Sequence, residues 1–394
     1  MEQALFVLLM LLVLSILVIV HECGHFLVAR YFGFQTPVFG IGLPFGPHIT
    51  VGKRWGTEFR IHPCCPLGGF VAIPELGDES NASSSAEVFG VSLHPFKKFP
   101  IWQRALVAVA GVTFNVIFAY ILMFAMMFFL GKPVDTAYVK DLDPSNPIAK
   151  QAGVLPNDEI FAIDAHPVSN PTEVIAYLST RKAIPVTLHL RRAGTVVDLS
   201  MTTSAAGRVG MMLDSRPMTY EKVEGGPVNV ATVAAAELTD RTRLMVLNVV
   251  EMIRNLLPQP GPHPAKPKAG IGDLHGVLAV IKIGADLASI DGRQIIMFTI
   301  LISMDLAIVN LLPWPALDGG HLAFMLVEAI RGKPLEERAH GEIVRWGFLS
   351  LIALMVVVMV NDVSALMSGK LDIKPALKEK LAPAKPEPLT PPTK

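Results

Sequence analysis

Two histidines four residues apart, with a glutamate directly after the first, stand near the start of this chain: His21-Glu22-Cys23-Gly24-His25. On a helix, residues i and i+4 share a face, so both imidazoles can reach one Zn²⁺ ion. Glu22 lies beside them and is placed to take a proton. Zinc lowers the pKa of water to about 7, and a carboxylate can then act as general base. The competing reading is a polar cap that ends an apolar helix at the water interface.

A catalytic zinc needs a third protein ligand and one open position. Asp318 supplies a candidate, in Asn310-Leu311-Leu312-Pro313-Trp314-Pro315-Ala316-Leu317-Asp318-Gly319-Gly320. Two prolines break the preceding apolar run, and a fold-back there would bring Asp318 to the depth of His21. An irregular segment at that depth must line a wet or protein-lined cavity, because lipid cannot satisfy its backbone. Taken alone, Asp318 reads equally well as an N-cap on a helix over 319–330.

The elements that position these residues are apolar runs. Ala4 to Val20 is apolar except for Ser15 and is followed by the charged trio rather than a cleavage site, which reads as a retained transmembrane helix. Further runs span Ala105 to Leu130, Ile295 to Leu312 and Trp346 to Val360. Ionisable groups cost roughly 3 kcal/mol each at a bilayer centre, so their presence in a span marks function. Arg30, Lys97, Lys98 and Arg104 flank one loop, and Arg331, Lys333, Arg338 and Arg345 another. The positive-inside bias puts both loops in the cytoplasm and the segment between spans two and three outside.

Composition agrees with a membrane protein. Of 394 residues, 51% are hydrophobic and 17% charged, which excludes a disordered chain and argues against a purely soluble globule. Lys+Arg and Asp+Glu both number 34, so no basic excess points to nucleic acid. Cys23, Cys64 and Cys65 read as thiols; His62 with the cysteine pair is a weaker metal candidate, since no second Cys/His pair follows. Val186 to Leu190 alternates as a half-buried strand with Val196 to Met201 as its hairpin partner. Asn170 before Pro171-Thr172-Glu173 reads as the N-cap of a helix through Leu178. Val233 to Leu257 has helical periodicity and lies either on the membrane surface or against the soluble domain.

The two motifs together resemble the site-2 protease family of intramembrane zinc metalloproteases, in particular the bacterial branch that cleaves anti-sigma factors. Ala149-Lys150-Gln151-Ala152-Gly153-Val154-Leu155-Pro156-Asn157-Asp158-Glu159-Ile160 is similar to a PDZ pattern, and Pro66 to Val71 resembles the family's membrane-dipping β-hairpin. Gly111-Val112-Thr113-Phe114-Asn115 resembles the family's G-P-x-x-N, with Val112 in place of proline, and Asp305 stands where members often carry asparagine. His321 and Trp314 read as a neighbour of the site and an interface anchor.

The resemblance implies a polytopic α-helical membrane protein of four transmembrane helices, with a membrane-associated β-hairpin and an inserted periplasmic PDZ domain. Its expected parts are helix 1 with the zinc motif (1–30), a cytoplasmic-side loop with the hairpin (31–100), helix 2 (101–131), the PDZ domain (132–216), a linker with amphipathic helices (217–292), helix 3 with the broken segment (293–330), a cytoplasmic loop (331–345), helix 4 (346–368) and a disordered tail (369–394). It implies Zn²⁺ held by His21, His25 and Asp318, with Glu22 catalytic. Asn310, Gly68, Gly69 and Phe70 would hold substrate. The partners implied are a pre-trimmed transmembrane protein and the lipid bilayer of a bacterial inner membrane, in regulated intramembrane proteolysis. The PDZ domain would bind a substrate C-terminus or act as a size filter. The alternative is a non-enzymatic zinc-binding membrane scaffold or transporter with a PDZ assembly module. A transporter is expected to show two related halves with paired interrupted spans, and only one interrupted span is present.

Overall fold

A computed structural model of the chain describes residues 2–44, 46–63, 68–73, 87–88, 91–92, 94, 96–168, 170–192, 194–256, 276–369 and 371–372. The chain forms two compact units. The first takes in Met1–Ala125 and Ala231–Ile373; the second, in its described part, is Met126–Val230.

The first unit begins with α1 (Glu2–Phe32), a Leu/Val/Ile-rich helix of 31 residues. At 1.5 Å per residue it is about 46 Å long, more than the roughly 30 Å of a hydrocarbon core. A four-stranded sheet follows, built from β1 (Val38–Ile41), β2 (Ile49–Arg54), β3 (Thr57–Ile61) and β4 (Gly69–Ala72). Its order is β2-β3-β1-β4; β1 runs parallel to β3 and antiparallel to β4, so β4 is an edge. The segment expected as a hairpin thus contributes, in its described part, one edge strand; residues 64–67, including Cys64 and Cys65, lie outside the described residues. A short pair, β5 (Glu87–Val88) and β6 (Val91–Ser92), precedes a 3₁₀ turn at Phe96–Lys98.

Next comes α2 (Ile101–Phe129). After the second unit the chain continues with α5 (Gly226–Leu256), α6 (Val277–Ile290), α7 (Gln294–Asn310), α8 (Asp318–Arg331) and α9 (Glu337–Met367). Among the described residues, three helices are long and apolar enough to cross a membrane: Gln3–Phe32, Ile101–Phe129 and Arg338–Met367. Gln294–Asn310 is a shorter apolar helix. It buries Met297, Ile300, Met304 and Ala307, the i, i+3, i+7, i+10 stripe of a packed helix face, together with Ser303. Ser303 Oγ donates to the Asn115 carbonyl at 2.9 Å, which ties α7 to α2.

The stretch expected as linker contains a packed element. Helix α6 buries Ala279, Gly284, Ala285 and Ala288 and lies against α1, where Met10 fills the space over Gly284. Its first turn is capped from α9: Asp362, itself buried, accepts from Gly276 N at 2.9 Å and Ala279 N at 3.0 Å. The segment expected as a loop over 331–345 is largely the first turns of α9.

The second unit holds β7 (Lys132–Leu142), α3 (Ile148–Gln151), β8 (Glu159–Ile163), β9 (His166–Pro167), α4 (Pro171–Thr180), β10 (Pro185–Arg192), β11 (Thr195–Thr202) and β12 (Met211–Glu221). The sheet order is β11-β10-β8-β7-β12, with β9 on β8. Strands β10 and β11 form the expected hairpin, and Val186, Leu188 and Leu190 alternate into the core with Ile160, Ile163 and Val174. Asn170 caps α4 by accepting from Glu173 N at 2.9 Å, as its spacing predicts. Strand β12 runs on to Glu221, beyond the boundary expected at 216.

Candidate metal centre

Four parts of the first unit build the site. On α1, His21 and His25 are buried one turn apart, their ring centroids 4.8 Å from each other. The third group arrives through the broken segment. Helix α7 ends at Asn310, residues 311–317 turn back, and α8 starts at Asp318. The fold-back is close: a Cβ on Gly319 would strike the Leu311 backbone, and one on Gly320 the backbones of Trp314 and Pro315. Only glycine allows that approach. Asp318 is therefore not the N-cap of α8, a position held by Leu317 without a side-chain hydrogen bond.

The result is a convergent set. Asp318 Oδ2 lies 3.1 Å from His21 Nε2 and 3.3 Å from His25 Nε2, and the two Nε2 atoms are 3.2 Å apart. All three ligand atoms lie within 4.8 Å of one another. Asp318 Oδ2 is a buried acceptor between two imidazoles, and among the described residues it meets no other donor. Helix α2 leaves room for an ion: a Cβ on Gly111 would stand 2.6 Å from His21 Cε1, 2.7 Å from His21 Nε2 and closer still to His25 Nε2. Two imidazoles and a carboxylate with a cleared floor fit a tetrahedral divalent ion with a free position. The far side of each ring is also held, since Val107 O accepts from His25 Nδ1 at 2.8 Å and Asn115 Nδ2 meets His21 Nδ1 at 3.2 Å. Partners of this kind orient ligating histidines.

Glu22 points to the sheet. Its Oε2 accepts from the Val71 backbone N–H of β4 at 3.0 Å, beside the metal group but not in it. Gly69 lies against Ile19 and Glu22 on the same edge, and Asn310 Nδ2 approaches His21 Nε2 at 3.4 Å. The predicted residues His21, Glu22, His25, Asp318 and Asn310 are thus brought together, with Gly69 and Phe70 on the neighbouring strand.

His321 stands apart from the three grouped ligand atoms. It lines a cavity of about 150 Å³ with His340, Phe324 and Glu328. There Arg104 and Glu328 form a two-pronged ion pair at 3.0 and 2.6 Å, joining α2 to α8. Trp314 Nε1 donates to the Gly347 carbonyl at 3.2 Å. Of the weaker metal candidate only His62 is described; it is buried between His48 and Phe70. Sequence reasoning missed the supporting contacts from Val107, Gly111 and Val71. Two of these are made by backbone groups, which carry no residue-type signal.

Comparison with known proteins agrees with this geometry. Residues 9–354 match the model of Peptidase family M50. The chain is 32% identical over 379 residues to a protein of Agrobacterium fabrum named "Putative zinc metalloprotease", covering 91% of this chain and 95% of that one. A protein of the same description from a Nostoc species is 30% identical over 368 residues, covering 90% and 94%. The "Membrane metalloprotease ARASP, chloroplastic" of Arabidopsis thaliana is 30% identical over 367 residues, covering 90% and 78%. The cofactor these relatives imply is Zn²⁺, and His21, His25 and Asp318 form the possible site for it.

Proposed function

The chain belongs to peptidase family M50, the site-2 proteases, and on that premise we propose that this membrane metalloprotease is an intramembrane endopeptidase. Its substrates are transmembrane segments of membrane proteins already trimmed on their outer side, anti-sigma factors among them. The observation that carries the reading is the hydrogen bond between Glu22 and Val71 beside the His21–His25–Asp318 group. It puts a carboxylate between a metal position and the free edge of a sheet.

His21, His25 and Asp318 hold the ion. Bound Zn²⁺ supplies Lewis acidity toward water and the scissile carbonyl. Glu22 takes the proton of the attacking water and returns it to the leaving amine. The β4 edge receives the substrate as an added strand, through backbone pairing at Gly68, Gly69 and Phe70. A transmembrane helix must unwind before its peptide bonds are accessible, and strand addition stabilises the unwound form. Asn310 holds substrate backbone beside the ligands.

In this reading α7 is a fourth span, the basic loops are cytoplasmic, and the protein sits in a bacterial inner membrane. The second unit is a periplasmic PDZ domain that binds a new C-terminus or excludes untrimmed proteins. The test is cleavage by the purified full chain in detergent, with a transmembrane substrate already shortened on its outer side. Mass spectrometry should place the cut inside the apolar segment, a chelator should abolish it, and Zn²⁺ should restore it. Cuts confined to the flanking polar sequence, or activity indifferent to chelation, would overturn the proposal.

A further inference from the structure

The cavity at the start of α2 is built from side chains of the first unit that take no part in the metal group. Arg104 on α2, Phe324 and Glu328 on α8, His340 on α9, and Phe96 and Lys97 of the 3₁₀ turn line about 150 Å³. A single water needs only about 10–15 Å³. Arg104 is 8% exposed and meets Glu328 end-on: Nη1 donates to Oε2 at 3.0 Å and Nη2 to Oε1 at 2.6 Å. Both Nη atoms are thereby engaged. The Nε–H, buried as well, has no partner among the described residues. A guanidinium carries donors only, so this group calls for an acceptor.

Charge says what kind of acceptor. With His321 and His340 neutral, Arg104 and Lys97 outweigh Glu328 by one positive charge. Water satisfies a lone N–H but does not offset a surplus cation between helices. A group with one negative charge and several acceptor oxygens does both, and a phosphodiester is such a group.

The level of the cavity says where the phosphate comes from. Trp102, two residues before Arg104, is 57% exposed, and Trp346, six residues after His340, is 67% exposed. Their helices, α2 and α9, are both long and apolar enough to span a membrane. Exposed tryptophans near the ends of such helices mark the headgroup layer. Basic pockets between helices at that depth bind anionic lipid headgroups.

We propose that this cavity holds the phosphate of an anionic phospholipid. Arg104 Nε and Lys97 Nζ donate to it, and Phe96 and Phe324 lie against the carbon atoms of the headgroup. The bound lipid braces α2 against α8, the helix that begins at Asp318. The site is independent of the metal ligands and of the cleavage reaction.

The test uses the full chain, purified in detergent and stripped of lipid. It is titrated with phosphatidylglycerol or phosphatidylcholine in mixed micelles; native mass spectrometry counts bound lipid, and heating follows unfolding. Phosphatidylglycerol should bind and raise the unfolding temperature. Phosphatidylcholine, which has no net charge, should bind at least about fivefold more weakly. Arg104→Gln/Glu328→Gln keeps a neutral hydrogen-bonding pair but removes the Nε–H, and should weaken phosphatidylglycerol about 10–100-fold. Lys97→Gln, at an exposed position, should weaken it about fivefold. Arg345→Gln is the control, since that side chain is 72% exposed on α9 and does not line the cavity. An equal loss in Arg345→Gln would mean a general attraction of basic groups for anionic surfaces and overturns the proposal. So does wild-type binding in the cavity variants, or phosphatidylcholine held as tightly as phosphatidylglycerol. Inorganic phosphate that displaces the lipid at matching concentration assigns the cavity to a soluble anion and overturns the lipid. Should the double variant not fold, unchanged binding in Lys97→Gln alone overturns the proposal.

Discussion

The Glu22 carboxylate on α1 accepts a hydrogen bond from the Val71 backbone N–H on β4, 3.0 Å away and 49 residues along the chain. Because β4 ends the sheet and its other edge pairs with β1, this N–H is one that an added strand would use. On the proposed reading, substrate binding and the catalytic base would share a donor: a peptide carbonyl that took the Val71 N–H would release Glu22.

Removing that donor alone tests the link. Val71→Pro deletes the N–H at an edge position where proline is tolerated, and Val71→Ala keeps it. A hydrogen bond to a charged group is worth about 1.5–3 kcal/mol. The expected result is a loss of about 10–100-fold in kcat/KM for the proline variant, at unchanged zinc content, and near-normal activity for the alanine variant. Equal activity in both would detach β4 from the chemistry.

Gly111 carries a second prediction. A methyl group there occupies the floor beneath both imidazoles. Gly111→Ala should purify with zinc reduced at least about tenfold, since even small misplacements of ligands are costly. The measurement is zinc per chain by metal analysis. Full occupancy would mean that α2 does not bound the site.

In the second unit, Asp158 is 1% exposed and accepts from Arg192 Nε and Nη2, both at 2.7 Å, and from Leu155 N at 2.8 Å. Arg192→Ala would strand a buried carboxylate, which typically costs about 3–5 kcal/mol. Thermal unfolding of the full chain should show an early transition for this unit, with zinc content preserved. An unchanged unfolding profile would mean that Asp158 finds another partner.

Orientation is testable with one thiol. With Cys23, Cys64 and Cys65 replaced, Ser179→Cys on α4 should react with an impermeant reagent in intact spheroplasts. Labelling only after lysis would reverse the proposed topology.

The candidate metal site was legible because helix periodicity puts His21 and His25 on one face and because two prolines before Asp318 demand a break. The hairpin of β10 and β11 and the Asn170 cap were legible for the same reason, since each is local in sequence. What escaped is non-local. Helix α6 has 14 residues, too few to suggest a span, and Lys282 and Asp286 hide its apolar face by pairing with each other. The pairing of β1 parallel to β3 and antiparallel to β4 joins segments that no periodicity relates. Asn115 was legible as the last residue of a motif, but its partner His21 lies 94 residues away.

The central claim is that Glu22 performs the acid–base chemistry at an ion that it does not ligate. Glu22→Gln keeps the side chain's size and its distance from the metal group, so zinc content should equal that of wild type. Loss of the base and of the proton donor should slow cleavage of a trimmed transmembrane substrate by about 10²–10⁴-fold or more. The decisive measurement is the cleavage rate and zinc content of Glu22→Gln in the same detergent preparation. The account predicts bound zinc with uncut, accumulated substrate; zinc-loaded Glu22→Gln that cuts at the wild-type rate would contradict it.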